Sequence, residues 1–388
     1  MKMKRSQRLG IYLGKILLIF MCAIFLINIV WPDKKQSDQE NRSLQTFPSL
    51  SLTDLSSGTF NQNLDAWFSD QFVGRQMFIH MKYWTQKLTG NKKIESVFLG
   101  KNGLIEDINE PNTEQLERNK KAINKFYQDR NLQTTFLLAP TAANIWQDQL
   151  PRGAYTLDQN EQIDDFYKSI SSGIEKVDIR PILEEHKDEY LYYHTDHHWT
   201  TLGAYYAFSQ LNEVMEYGDV NLDSYTIYPV TTSFKGTLSK QTGSTNIKDQ
   251  IDIYVPKSKV EYIMTDQSTG EKSPTLYVSD ALNTSDAYTV FMGGNHGLLK
   301  IETTADSDKH LLLIKDSYAN ALIPFLIPYY RTITVVDPRY YFDDVQLRID
   351  MDMINEVMYV YNANTFMIDT SLADMLNGAS DPISETEE

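Results

Sequence analysis

Residues 192 to 200 read Tyr-Tyr-His-Thr-Asp-His-His-Trp-Thr and hold three of the chain's seven histidines, His194, His197 and His198. The spacing Asp196-x-His198 suits a carboxylate that fixes the tautomer and orientation of an imidazole, which then removes a proton from a nucleophile. The stretch itself contains no nucleophile, so one must come from elsewhere. Ser317 is the candidate. It stands where the apolar run Leu311 to Ile314 ends and a helical run begins. A serine there is held on a tight turn, and a helix N-terminus favours a developing oxyanion. An ordinary helix N-cap is the plainer use of Asp316-Ser317. The presence of Asp196-x-His198 strengthens the nucleophile reading, because serine and base are often distant in sequence.

The same cluster has other uses. His194, Asp196, His197 and His198 could in principle hold zinc, but adjacent imidazoles do not easily face one ion. No Glu-bearing helix motif accompanies them, so neither a metal nor a cofactor is expected. His197 and Trp199 read as packing or substrate-lining residues, and Tyr318, beside the serine, joins the substrate candidates. Gly294 and Asn295, in the turn 293–297, are either oxyanion donors or plain turn residues. Arg339 and Tyr340 follow a strand end and either line a sugar site or sit in a surface turn.

The elements that must position these residues alternate between strand and helix. Residues 97–99 and 104–105 flank Asn102-Gly103, a hairpin signal. A polar helix is expected at 113–130, a buried strand at 134–140, a loop at 141–144, a short strand at 177–179 and a helix from Pro181. Ala204, Phe208, Leu211 and Met215 follow i, i+4, i+7, i+11, one stripe of a helix that Thr200 or Thr201 would cap. Residues 217–290 read as a β-rich insertion. Strands at 309–315 and 332–336 follow, then a helix at 343–357 and a strand at 365–368. This pattern predicts an α/β fold with a mainly parallel sheet, with ligands at the carboxyl ends of its strands.

The chain of 388 residues is 41% hydrophobic and 12% aromatic, enough for a core. Its net charge is −16, and its first 32 residues hold five cations and no acid, so the remainder carries −21. An acidic body argues against a nucleic-acid partner. Cys22 is the sole cysteine, which excludes an intrachain disulfide. Residues 9–31 are mostly apolar behind a basic flank, which predicts an uncleaved signal anchor with the body outside the membrane. A cleaved signal peptide is the alternative, but no small-x-small site follows Asn28. Residues 32–59 read as a polar linker and 60–90 as helical, with Asp70 and Arg75 a possible pair. The expected organisation is 1–31 cytoplasmic tail and anchor, 32–59 linker, 60–380 extracytoplasmic domain, and 381–388 acidic tail.

Asp196-His197-His198-Trp199 matches the signature that names the DHHW protein family. That family resembles the alginate O-acetyltransferases (the AlgX/AlgJ-like group) of the SGNH-hydrolase superfamily, a group with a permuted order that puts Asp-x-His before the serine. Shorter matches run in the family's order: Glu40-Asn41-Arg42 with Phe47-Pro48, Asp70 to Arg75, Phe98 to Gly103, Ala139-Pro140-Thr141, and Lys315 to Tyr318. The resemblance implies a three-layer α/β sandwich, with Ser317 as nucleophile, His198 as base and Asp196 as its orienter. It also implies a glycan acceptor and a membrane-bound O-acyltransferase as acyl donor. Lys315 departs from the glycine of the superfamily's Gly-Asp-Ser signature. Two functions are therefore expected: a membrane-anchored O-acetyltransferase or acetylesterase, or an inactive glycan-binding or assembly protein that kept the fold.

Overall fold

The computed structural model describes residues 5–37, 42–218 and 221–377. Lys2, Lys4, Glu40, Asn41 and the acidic tail 381–388 lie outside the described residues. The chain divides into two compact units, one of residues 1–90 with 240–244 and one of 91–239 with 245–388.

The larger unit is built on an eight-stranded sheet. Its spatial order is Lys272–Ser273, Tyr262–Asp266, Leu298–Thr303, Thr332–Val336, His310–Lys315, Glu356–Asn362, Gln133–Ala139 and Glu175–Val177. The five strands from Thr332–Val336 to Glu175–Val177 run parallel, and the other three add antiparallel at one edge. The fold is thus α/β with a mainly parallel sheet. Such strands are apolar throughout because both faces are buried. Leu311 and Leu313 join one core with Ile333, Val335 and Val360, and the stripe Ala204, Phe208, Leu211 and Met215 of helix Thr201–Met215 belongs to that core. Leu312 and Ile314 join a second core, with Ile123 and Phe126 of helix Thr113–Arg130 and Ile163 and Phe166 of helix Gln159–Ser169. Each such side chain, fully buried, contributes about 1.5–3 kcal/mol.

The C-terminal elements differ from the sequence expectation. In place of a helix at 343–357 there is a short helix Val345–Arg348, and then the strand Glu356–Asn362. In place of a strand at 365–368 there is the helix Ala363–Ile368. Short apolar runs do not separate helix from strand by period alone. Here Val357 to Tyr361 are β-branched or bulky residues that alternate between the two cores. Asn362 ends the strand by capping the helix, its Oδ1 accepting from Thr365 N at 3.3 Å. The expected loop at 141–144 is a short helix, Ala142–Ile145. Within 217–290, Tyr225–Phe234 and Asp249–Pro256 form their own two-stranded sheet, whereas Tyr262–Asp266 and Lys272–Ser273 extend the main one.

Val97–Leu99 and Leu104–Glu106 pair antiparallel, as Asn102-Gly103 suggested. The glycine is needed there for closeness, not for a left-handed backbone. A Cβ on Gly103 would lie 2.6 Å from the Cβ of His194.

The smaller unit holds the helix Arg5–Val30, of which Gly10–Val30 (mean hydropathy 2.5) is long and apolar enough to cross a membrane. Helices Leu52–Ser57, Thr59–Gln71 and Arg75–Leu88 follow. Gly74 separates the last two at φ 79°, a left-handed turn that favours glycine. Asp70 accepts from Gln45 N at 2.9 Å, and Arg75 Nε donates to Ser69 O at 3.1 Å.

Candidate active site

The stretch 192–200 folds as a closed loop. Tyr192 and Trp199 form an antiparallel bridge, and Tyr193 N donates to His198 O at 3.2 Å. Thr200 then caps helix Thr201–Met215, its Oγ1 accepting from Gly203 N at 3.2 Å. A buried carboxylate supports the loop from below. Asp249 accepts from His194 N at 2.9 Å, Thr195 N at 2.7 Å and the Tyr190 hydroxyl at 2.5 Å. His194 stacks with Trp146 and Tyr190, a packing position.

Asp196 is buried. Its Oδ1 accepts from His198 Nδ1 at 2.5 Å and from His198 N at 3.0 Å. Its Oδ2 accepts from Thr237 N at 2.7 Å and Thr237 Oγ1 at 3.0 Å. Burial pushes this carboxyl's pKa up, but the His197 and His198 imidazoles and the Thr237 amide outweigh it and hold the pKa well below the usual range. Burial lowers the His198 pKa to about 4, with His197 adding to the shift. His198 is therefore neutral at pH 7. With Nδ1–H donated to Asp196, Nε2 is left as the acceptor. Ser317 Oγ lies 2.8 Å from that Nε2.

Ser317 follows the carboxyl end of strand His310–Lys315 and is 9% exposed. Asp316 shapes its turn. Asp316 Oδ1 accepts from Tyr318 N at 2.9 Å, and Oδ2 accepts from Asn362 N at 2.8 Å on the neighbouring strand. Two bonds tie this turn to the histidine loop: Trp199 Nε1 donates to Tyr318 O at 2.9 Å, and the Tyr318 hydroxyl donates to His197 O. Trp199 and Tyr318 thus set the distance between Ser317 and His198.

Three supports besides Asp249 were not apparent from the sequence. Tyr288 stacks on the His198 ring at 3.8 Å and 13°, and its hydroxyl donates to Ser317 O at 3.1 Å. Thr237 holds the outer oxygen of Asp196. Gly236 leaves room for it, since a Cβ there would lie 2.2 Å from Asp196 Cβ and 2.3 Å from Oδ2. No motif spacing marks any of the three. Gly236→Ala must push the carboxylate off its bonds. It should lower turnover about a hundredfold, the scale of a 1 Å misplacement, while the circular dichroism of the folded protein is kept. Wild-type turnover in this variant would show that the carboxylate position does not matter.

Lys315, where a glycine was the family expectation, is 1% exposed. Its Nζ donates to Asn320 Oδ1 at 2.9 Å, Asp337 Oδ2 at 3.2 Å and Asn295 Oδ1 at 3.3 Å. Asn320 Nδ2 also donates to Asn295 Oδ1, at 3.2 Å. Both donors fix the Asn295 amide with its oxygen toward Lys315, so its NH2 faces away from them. Gly294 donates its own N–H to Phe291 O at 3.2 Å, within its turn. Arg339 clamps Asp337 through Nε at 2.9 Å and Nη2 at 2.7 Å, so it belongs to this buried network. Tyr340 is exposed beside the Arg339 guanidinium. His197 sits at the margin of the dyad, with Nδ1 3.7 Å from Asp196 Oδ1. Asp196, His197 and His198 present three possible metal ligands within 4.8 Å of one another. Both nitrogens of His198 already have protein partners.

A family model described as "DHHW protein" matches residues 124–336. The chain belongs to the DHHW protein family. A DHHW family protein from Eubacterium siraeum DSM 15702 is 25% identical and superposes with a TM-score of 0.60, over 73% of this chain and 98% of that one. PatB1 of Bacillus cereus, in a structure with a sulfonyl adduct, is 20% identical at a TM-score of 0.60, over 72% of this chain and 97% of its own, and shares the fold. The O-acetyltransferase domain of Pseudomonas putida AlgJ is 14% identical at a TM-score of 0.45, over 73% of this chain and 99% of that domain, a likeness too slight to read function from. No curated protein matches the sequence.

Proposed function

We propose that this DHHW protein is a membrane-anchored serine O-acetyltransferase, or acetylesterase, that modifies a cell-surface glycan or exopolysaccharide. The observation that supports it is the buried chain Asp196–His198–Ser317, with links of 2.5 Å and 2.8 Å. Ser317 Oγ attacks the acetyl carbonyl of a donor and passes its proton to His198 Nε2. The tetrahedral adduct collapses, the donor's leaving group takes that proton, and acetyl-Ser317 remains. A sugar hydroxyl then gives its proton to His198 and attacks the ester, which frees Ser317 and yields the acetylated glycan. Water in the sugar's place gives acetate. Asp196 stays ionised and stabilises the imidazolium in both halves. The amide of Asn295 is the side-chain candidate for the oxyanion.

Helices in both cores of the sheet support the three-layer SGNH-like arrangement. The apolar helix Gly10–Val30 supports a single-pass anchor behind a short cytoplasmic tail, with residues 60–380 outside. In this reading a membrane-bound O-acyltransferase hands acetyl groups to Ser317. The full-length protein in detergent, mixed with an activated acetyl ester and quenched in acid, should gain one acetyl group on the peptide containing Ser317 by mass spectrometry. No adduct, together with glycan binding that survives Ser317→Ala, would favour a non-catalytic binding protein. Because burial lowers the His198 pKa to about 4, the base stays unprotonated as pH falls through 6.5. The acid limb of kcat/KM should therefore lie nearer pH 4 than 6.5.

A further inference from the structure

On helix Arg75–Leu88, Met77, Met81, Trp84 and Leu88 follow i, i+4, i+7, i+11 and form one stripe. Every one is exposed, from 44% at Trp84 to 82% at Leu88. The helix's other face is covered: Tyr83 is 3% exposed, and His80 Nδ1 lies 2.6 Å from Gly243 O. The apolar stripe is therefore additional to the face that packs inward. Charge marks the same segment. From Gln71 to Leu88 there is no acidic residue, and there are three cations: Arg75, Lys82 and Lys87. This stands out in a chain of net charge −16. Lys87 projects at one margin of the stripe, its Nζ 5.6 Å from the Trp84 ring centroid, while Arg75 and Lys82 lie farther round the helix.

The helix also begins beside the end of the apolar span. Val73 N donates to Asn28 Oδ1 at 2.8 Å, and the Phe25 and Phe68 rings lie 6.5 Å apart. Gly74 then turns the chain into the helix. A helix with an exposed apolar stripe, a flanking cation and an exposed tryptophan fits a bilayer surface.

We propose that Arg75–Leu88 lies on the outer membrane surface, with Met77, Met81, Trp84 and Leu88 among the acyl chains and Lys87 on anionic headgroups. This rests on the reading that Gly10–Val30 spans the membrane. The test places the full-length protein, with Cys22→Ser, in nanodiscs of phosphatidylglycerol and phosphatidylcholine. Single cysteines at Leu18→Cys and Met81→Cys carry a fluorophore, and the lipids carry nitroxide quenchers. Leu18→Cys should lose fluorescence to quenchers deep in the acyl chains, and Met81→Cys to quenchers near the headgroups. An unquenched Leu18→Cys would overturn the membrane-spanning reading. Quenched Leu18→Cys with Met81→Cys no dimmer than in quencher-free nanodiscs would overturn the surface helix alone. Equal quenching at Met81→Cys in pure phosphatidylcholine would overturn the part given to Lys87.

Discussion

Ser317→Ala in the full-length protein should lower acetyl-ester turnover by roughly three to six orders of magnitude, and adding His198→Ala should lower it little further. In the proposed reaction the two groups act through one proton. Ser317 Oγ is 2.8 Å from His198 Nε2, and on that route neither group does the chemistry without the other. Losing either one therefore forfeits most of what both supply. Asp196→Asn tests the third member separately. Its Oδ1 accepts from both His198 Nδ1 and His198 N, so an amide there allows the imidazole to turn its wrong nitrogen to Ser317. Turnover measured across the single and double variants decides the matter. Losses that multiply instead of saturating would mean that Ser317 and His198 act in separate steps, and the acyl-serine route would fall.

Lys315→Met should lower unfolding stability by about 3–5 kcal/mol, the scale for breaking a buried ion pair from one side. Lys315 and Asp337 are 1% and 0% exposed in their side chains. Burial lowers the Lys315 pKa, and Asp337 pulls against it. Burial likewise pushes Asp337 up, but Lys315 and Arg339 outweigh that and hold it below its ordinary value. The carboxylate is thus ionised between two cations. Removing Lys315 leaves it with Arg339, which is partly exposed. The same change removes the Lys315 bonds to the oxygens of Asn295 and Asn320, so turnover should fall as well. Denaturant unfolding at pH 7 checks the first part. A loss under about 1 kcal/mol, the scale of a surface pair, would show that the site relaxes around the missing charge.

Much of the scaffold could be read from the chain because its signals are local. The stripe from Ala204 to Met215 has one period, and the strand before Ser317 is an unbroken apolar run. Asp196 and His198 are two residues apart, and Ser317 sits at a strand end, so both drew notice without a fold. The strand Glu356–Asn362 was missed because Val357 to Tyr361 carry no turn signals and follow a polar stretch that mimics a helix. Tyr288, Thr237, Gly236 and Asp249 were missed for another reason. Each is an ordinary residue in a Thr- and Ser-rich region, and its role exists only once the chain has folded back under residues 194–198. The identity of Lys315 was visible as a departure, but its partners Asp337, Asn295 and Asn320 come from three separate segments.

The strand Glu356–Asn362 also sets an order of assembly. It is the last strand among the described residues, yet it lies between His310–Lys315 and Gln133–Ala139 in the sheet. Until it arrives, the strand that carries Ser317 has no paired neighbour on that side. The Ser317 turn also lacks the Asn362 N–H that holds Asp316. Ser317 and His198, 119 residues apart, must therefore wait for residues up to Asn362 before their turn is complete. Such non-local pairing forms late and slowly. On the function proposed above, a chain whose residues up to Asn362 had not yet crossed the membrane would be idle, however early His198 and Ser317 themselves had emerged.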